Sequence, residues 1–267
     1  MEMLFLLAVR QGKKYDRGEH ICNSIDDGAR RVGKMQEAVK WRSFIPGQIT
    51  GPDEAITFVE GCGFCTWGPL PRLPFPNLAE AMGETATSIL DRTWYWKDDL
   101  HFSRQLYYGK IIQGQPSFIA PEYLPDFIAA LAGRGQEQER DVNRLYFAGR
   151  LSGEAKTIYE YLDEHGAQPS RELRRGARLG EKSMKLATER ALVELQRRFL
   201  ICKVDLTGRT RGTYSYIWDL AERFCPEAFA DARQTSPTAA RSNIRGQLRE
   251  FGIEPTSQLE NRLFLWT

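Results

Sequence analysis

Residues 151–220 read LSGEAKTIYEYLDEHGAQPSRELRRGARLGEKSMKLATERALVELQRRFLICKVDLTGRTRGTYSYIWDL, and their changing periodicity decides the fold. Ala155, Ile158, Tyr159 and Leu162 recur at the 3-4-3 spacing of one buried helix face. Gly166 ends that helix and Pro169 prevents its continuation. Ser170 is the expected N-cap of a short second helix carrying Leu173 and Ala177. Gly176 and Gly180 bracket a turn. A third helix is expected from about Lys182 to Arg198, with Thr188, Leu192, Leu195 and Phe199 on one face. The period then falls to that of strands in Leu200–Leu206 and Thr213–Trp218, and glycines bound the loop between them. Three helices followed by a hairpin read as a winged helix-turn-helix. Its wing tip, Thr207-Gly208-Arg209-Thr210-Arg211-Gly212, suits a phosphate backbone.

The formal net charge of +2 hides an uneven distribution. Residues 150–212 hold 14 Lys and Arg against 9 Asp and Glu, whereas residues 48–149 hold 8 against 13. The excess positive charge sits on the expected winged helix, where DNA binding needs it. On the third helix, Ser183, Ala187, Arg190, Glu194 and Arg197 are expected to face outward. Lys182, Ser183, Ala187 and Arg190 come within range of a major groove. Arg171, Arg174 and Arg175 on the second helix, with Arg209 and Arg211 on the wing, are the expected phosphate contacts. The competing reading is a winged helix used for protein contacts, with its arginines merely solvated.

The rest of the chain gives an α+β, mainly helical protein. Residues 1–47 read as an extension and 48–135 as a mostly helical N-terminal domain. The winged helix-turn-helix domain spans 145–226, and 227–267 form a helical C-terminal segment. Thr50-Gly51-Pro52-Asp53-Glu54 has the hydroxyl, proline and acids of a helix start. Four prolines between Pro69 and Pro76 demand an extended loop. Helical patterns resume at Asn77–Met82 and across His101–Ile112. Ser117-Phe118-Ile119 is short enough for one edge strand. Pro121 opens a helix through Leu131, and Gly133–Arg140 reads as a linker. Ala239–Phe251 is a basic amphipathic helix, and Pro255 starts a last short one.

Five cysteines, an odd number spread widely, are no disulfide framework, so a reducing cytoplasm is expected. The Met3–Val9 run is too short to span a bilayer. Cys62-Gly63-Phe64-Cys65 lacks a following helix and a second ligand pair, so two structural thiols are expected and no metal. No phosphate or dinucleotide fingerprint is present, and no cofactor is expected. Asp98 and Asp99 are adjacent and point apart. Helix N-capping is their plainest role, with Asp99 as a candidate base if the protein is an enzyme. Trp94, Trp96, Tyr107 and Tyr108 fit a buried core better than a base-stacking pocket.

Several motifs together resemble the AlkZ-related proteins, small bacterial winged-helix relatives of the YcaQ-type crosslink DNA glycosylases. They are Trp94-Tyr95-Trp96-Lys97-Asp98-Asp99-Leu100, Tyr107-Tyr108-Gly109-Lys110, Pro116-Ser117-Phe118-Ile119, and Leu195-Gln196-Arg197-Arg198 with Ile201. Trp218–Phe224 and the closing Asn261–Trp266 complete the set. The resemblance runs from about Ile49 to Thr267. It implies double-stranded DNA as the partner and a connection with DNA repair. The larger glycosylases carry a catalytic Gln-aliphatic-Gln or Gln-aliphatic-Asp motif. The only Gln-x-Gln here is Gln136-Glu137-Gln138, with an acid in the middle, so no catalytic residue carries over. Three readings stay open: a duplex DNA-binding protein, a glycosylase for alkylated or crosslinked bases, and a transcriptional regulator.

Overall fold

A computed structural model describes residues 40–84, 93–131, 141–210 and 212–266. Arg211, the expected linker with Gln136-Glu137-Gln138, and residues 1–39 lie outside them. Residues from Lys40 onward form one compact unit, with mainly helical α+β architecture and two small antiparallel sheets.

A 3-10 turn at Lys40–Phe44 leads to α1 (Pro52–Cys62), β1 (Phe64–Thr66), α2 (Leu78–Ala81), α3 (Trp96–Phe102), β2 (Tyr107–Lys110), β3 (Pro116–Ile119) and α4 (Leu124–Ala130). Trp41, within the expected extension, is fully buried, with its ring 6.1 Å from that of Phe58. Pro52 and two acids open α1 as expected. The cap, however, is Gly51 N–H donating to Glu54 Oε2 at 2.8 Å rather than the Thr50 hydroxyl. The first sheet has the order β1-β3-β2. The expected edge strand around Phe118 is therefore its centre, pairing Phe64 with Ile119 and Tyr108 with Phe118. Pro116 is tolerated because it occupies the first strand position. The helical pattern expected across His101–Ile112 breaks after Phe102. Tyr107-Tyr108-Gly109-Lys110 forms instead a strand with both faces covered, which is why it does not alternate. Phe64 anchors this lobe, 5.0 Å from Phe127 and 5.4 Å from Phe251.

The chain continues through α5 (Val142–Phe147), α6 (Gly153–His165), β4 (Gln168–Pro169), α7 (Ser170–Gly176), a 3-10 turn (Lys182–Met184), α8 (Lys185–Arg197), β5 (Ile201–Leu206) and β6 (Tyr216–Leu220). Strand order is β4-β6-β5, with a bulge between Lys203 and Asp205. Ile158, Leu162, Leu173, Ala191, Leu195, Ile201 and Trp218 share one core. Gly166 caps α6 as expected. Ser170 does not cap α7. Its hydroxyl donates to Tyr216 O at 2.8 Å and accepts from Trp218 Nε1 at 2.9 Å, which fixes α7 to the sheet.

Helices α9 (Ala221–Phe224), α10 (Pro226–Gln234), α11 (Pro237–Glu250) and α12 (Ser257–Leu263) close the unit. Ile244, Leu248 and Phe251 turn inward from α11 and its end. Arg245 clamps Glu260 of α12 through two hydrogen bonds of 2.6 and 2.7 Å.

Gly63 joins α1 to β1 at φ +76°, where an added Cβ would lie 2.5 Å from the Tyr123 ring. Gly149 has a similar φ of +68° and open space around it. Gly63→Ala should therefore cost roughly 1–3 kcal/mol more than Gly149→Ala, since it adds overpacking to backbone strain. Urea denaturation measures both, and equal losses would contradict the packing argument.

Candidate nucleic-acid interface

Helix α7 is pressed against α6 so closely that a Cβ on Gly176 would fall within 2.0 Å of the Tyr161 ring. Leu173, Ala177 and Leu179 take the inward positions. Arg171, Arg174, Arg175 and Arg178 are left exposed. The same division continues along the next segment. Thr188, Ala191 and Leu195 are buried, while Lys182, Ser183, Lys185, Leu186 and Arg190 are exposed. Residues 171–190 thus present seven cations against three glutamates. Among the described residues none of the seven forms a salt bridge. Arg174 Nε donates to Ser170 O at 3.1 Å, and Ser183 Oγ to Glu181 Oε2 at 3.2 Å. Such an uncompensated cluster raises the local concentration of any polyanion.

The outward face does not extend along all of α8. Glu194 accepts from the Ser152 hydroxyl at 2.6 Å and so holds the start of α6. Arg197, expected outward, is half-buried against the opposite neighbour. Its Nη2 donates to Leu263 O at 3.4 Å, its Nε has no hydrogen-bond partner among the described residues, and burial lowers its pKa. Gln196 is buried between them, accepting from Lys110 N–H at 3.1 Å. The reason is tertiary: the second half of α8 is covered on both flanks, which a helical wheel of α8 alone does not reveal.

The tip of the β5–β6 hairpin is tied to α3. Arg209 forms an ion pair with Asp99, and its carbonyl accepts from the Tyr95 hydroxyl at 2.9 Å. Behind this contact lies a buried polar knot. Lys97 Nζ donates to Asp98 Oδ2 at 2.7 Å, to Tyr214 at 2.6 Å and to Tyr216 at 3.0 Å. Both tyrosine hydroxyls donate to Asp98, at 2.6 and 3.2 Å. Trp94 packs on Lys97 at 4.4 Å and on Tyr214 at 5.4 Å. Lys203 lies 3.8 Å above the Tyr216 ring and 4.5 Å from the Tyr108 ring. The two aspartates do point apart, as adjacency requires, but they sit within the first turn of α3 and neither caps it. The knot joins residues about 116 apart in sequence. Its one legible sign was the i, i+2 spacing of Tyr214 and Tyr216 within the expected strand Thr213–Trp218, although the observed strand begins only at Tyr216.

His101 completes the attachment. Its Nδ1 accepts the Tyr108 backbone N–H at 3.1 Å, so the proton resides on Nε2, which donates to Lys203 O at 2.8 Å. The buried thiols make a contrast. Burial pushes Cys62 up to about 12 and raises Cys65 well above the ordinary thiol range, so neither is a thiolate at neutral pH. Among the described residues there is no cluster of three His, Cys, Asp or Glu able to hold a metal ion, and no helix long and apolar enough to cross a membrane.

Burial lowers the His101 pKa from 6.5 to about 4. The unfolded chain therefore takes up this proton first as pH falls. The stabilisation from neutral His101 is complete above pH 6.5 and lost toward pH 4, amounting to roughly 2 kcal/mol between pH 6.5 and 5. Urea titrations at pH 7 and pH 5 should show this loss in the native chain and a smaller one in His101→Asn. Identical pH dependence in both would contradict the assignment.

The family model described as AlkZ related matches residues 49–265. No curated protein and no solved structure matches the chain. The match takes in both sheets, the cationic helices and the α3–hairpin knot, and the chain belongs to the AlkZ-related family.

Proposed function

We propose that residues Gly153 to Leu220 form a winged helix-turn-helix that binds double-stranded DNA, with α7 and the first half of α8 as the contact face. The observation that carries this reading is the set of seven exposed cations on residues 171–190, none in a salt bridge among the described residues. Elsewhere on the unit Arg209, Arg223, Arg233 and Arg245 are paired with carboxylates. Arg171, Arg174 and Arg175 take phosphates. Lys182 and Ser183, in the 3-10 turn that leads into α8, and Arg190 on α8 itself face the groove. Arg209 joins them only where a phosphate displaces Asp99, while Arg197 serves packing. Family membership adds a relation to repair glycosylases, and so a role in DNA repair. It also supports a second reading, release of an alkylated or crosslinked base. An assay of base release from damaged duplex separates that reading from binding alone.

A salt titration of duplex affinity tests the contact face. Log affinity should fall linearly with log salt. Replacing Arg171, Arg174 and Lys182 together by Ala should make the slope shallower by about 2–3. In the same titration Asp99→Asn should raise affinity and steepen the slope by roughly 1, because it releases Arg209. A slope near zero, or one untouched by the triple substitution, would overturn the proposal.

A further inference from the structure

Leu186 is 51% exposed, one of four large hydrophobic side chains left open among the described residues. It occupies the first turn of α8, three residues after Ser183 and four before Arg190. Leu186 and Arg190 therefore share one outward stripe of α8, and Ser183 lies just before it in the 3-10 turn Lys182–Met184. Lys182 and Lys185 flank it, both exposed and outside any salt bridge among the described residues. A single exposed leucine is ordinary on a protein surface, but one set among exposed cations suits a partner that is apolar where it meets the leucine and anionic around it. A protein surface covering Leu186 would need acids matching Lys182, Lys185 and Arg190, whereas duplex DNA supplies those anions at a fixed spacing along its whole length. Within a major groove the apolar features presented to a helix are the C5-methyl groups of pyrimidines, carried by thymine and by methylated cytosine.

We infer that Leu186 reads the C5-methyl group of a pyrimidine in the major groove, so that this stripe discriminates methyl-bearing from methyl-lacking base pairs. Resting on the duplex-binding reading above, the inference adds a base contact to its phosphate contacts. Ser183 in the preceding turn and Arg190 one turn further along α8 flank Leu186 in sequence, within reach of neighbouring base edges. The polar groups set register and the leucine senses the methyl.

The test uses the full chain and two pairs of duplexes. The first pair is alternating dA·dT against dA·dU; the second is alternating dG·dC against the same sequence with 5-methylcytosine. Within each pair the grooves differ by the methyl alone. The wild-type chain should bind the methyl-bearing member about threefold to fivefold more tightly, the value of burying one methyl-sized apolar group. Salt slopes should be equal within a pair, because a methyl carries no charge. In Leu186→Ala the preference should vanish in both pairs, while Leu186→Met, of similar volume, should retain part of it. Salt-dependent binding with no preference within either pair overturns this inference and leaves duplex binding standing. A preference that survives Leu186→Ala unchanged overturns it too, by assigning the discrimination elsewhere. No salt-dependent binding to any of the four duplexes overturns both readings. A shift of oligomeric state in Leu186→Ala, with no methyl preference in the wild type, assigns the leucine to a protein contact instead.

Discussion

A charge pair withdrawn from water has to be satisfied on every side, and Lys97 with Asp98 imposes that requirement on the whole unit. Both are essentially excluded from solvent. The idealised cost of stripping such ions of water exceeds the stability of a whole domain, so mutual attraction alone does not hold them. Their remaining donors and acceptors are met by Tyr216, which opens the far strand of the hairpin, and by Tyr214 in the loop just before it. The hairpin therefore cannot leave α3 without exposing a half-satisfied ion pair. His101 adds a second tether from the same helix to the other strand through Lys203 O. The lobe built on β1-β3-β2 and the three-helix core are thus joined by polar chemistry of high specificity rather than by apolar area alone.

That attachment explains the distribution of free charge. The hairpin tip is committed to α3, and its Arg209 is engaged by Asp99. The second half of α8 is committed to α6 and to the C-terminal segment. What stays uncommitted is α7 and the beginning of α8, where cations are many and carboxylates few. The proposed DNA contact is therefore narrower than the basic sequence that suggested it, and its reach toward the hairpin depends on competition between Asp99 and a phosphate for one guanidinium.

Much of this was legible in the sequence where one periodicity had one interpretation. Ile158, Leu162, Leu173 and Leu195 follow helical spacing, and all are buried in a single core. The β-branched and aromatic run Thr213–Trp218 marked a strand, whose observed bounds are Tyr216–Leu220, and the motifs around Trp94 and Trp218 pointed to the family that the chain belongs to. What was not legible depends on distant neighbours. Ser117-Phe118-Ile119 is short in either position, and its place at the centre of the sheet comes from β1 and β2 lying on both sides. Arg197 and Glu194 look exposed on an isolated helix and are drawn inward by Leu263 and Ser152. Ser170 has the chemistry of a cap, but Trp218 and Tyr216 compete for its hydroxyl and win. Lys97 is enclosed by two tyrosines from the other end of the unit, a contact that no local pattern announces.

The central claim is that duplex DNA meets α7 and the start of α8 while the hairpin stays anchored to α3. Amide hydrogen exchange of the full chain, with and without a saturating undamaged duplex, tests it most directly. Protection on binding should concentrate in residues 170–190, with little change in α3 and β6. Protection centred on α3 and β6, or on α11, with none in residues 170–190, would contradict the account.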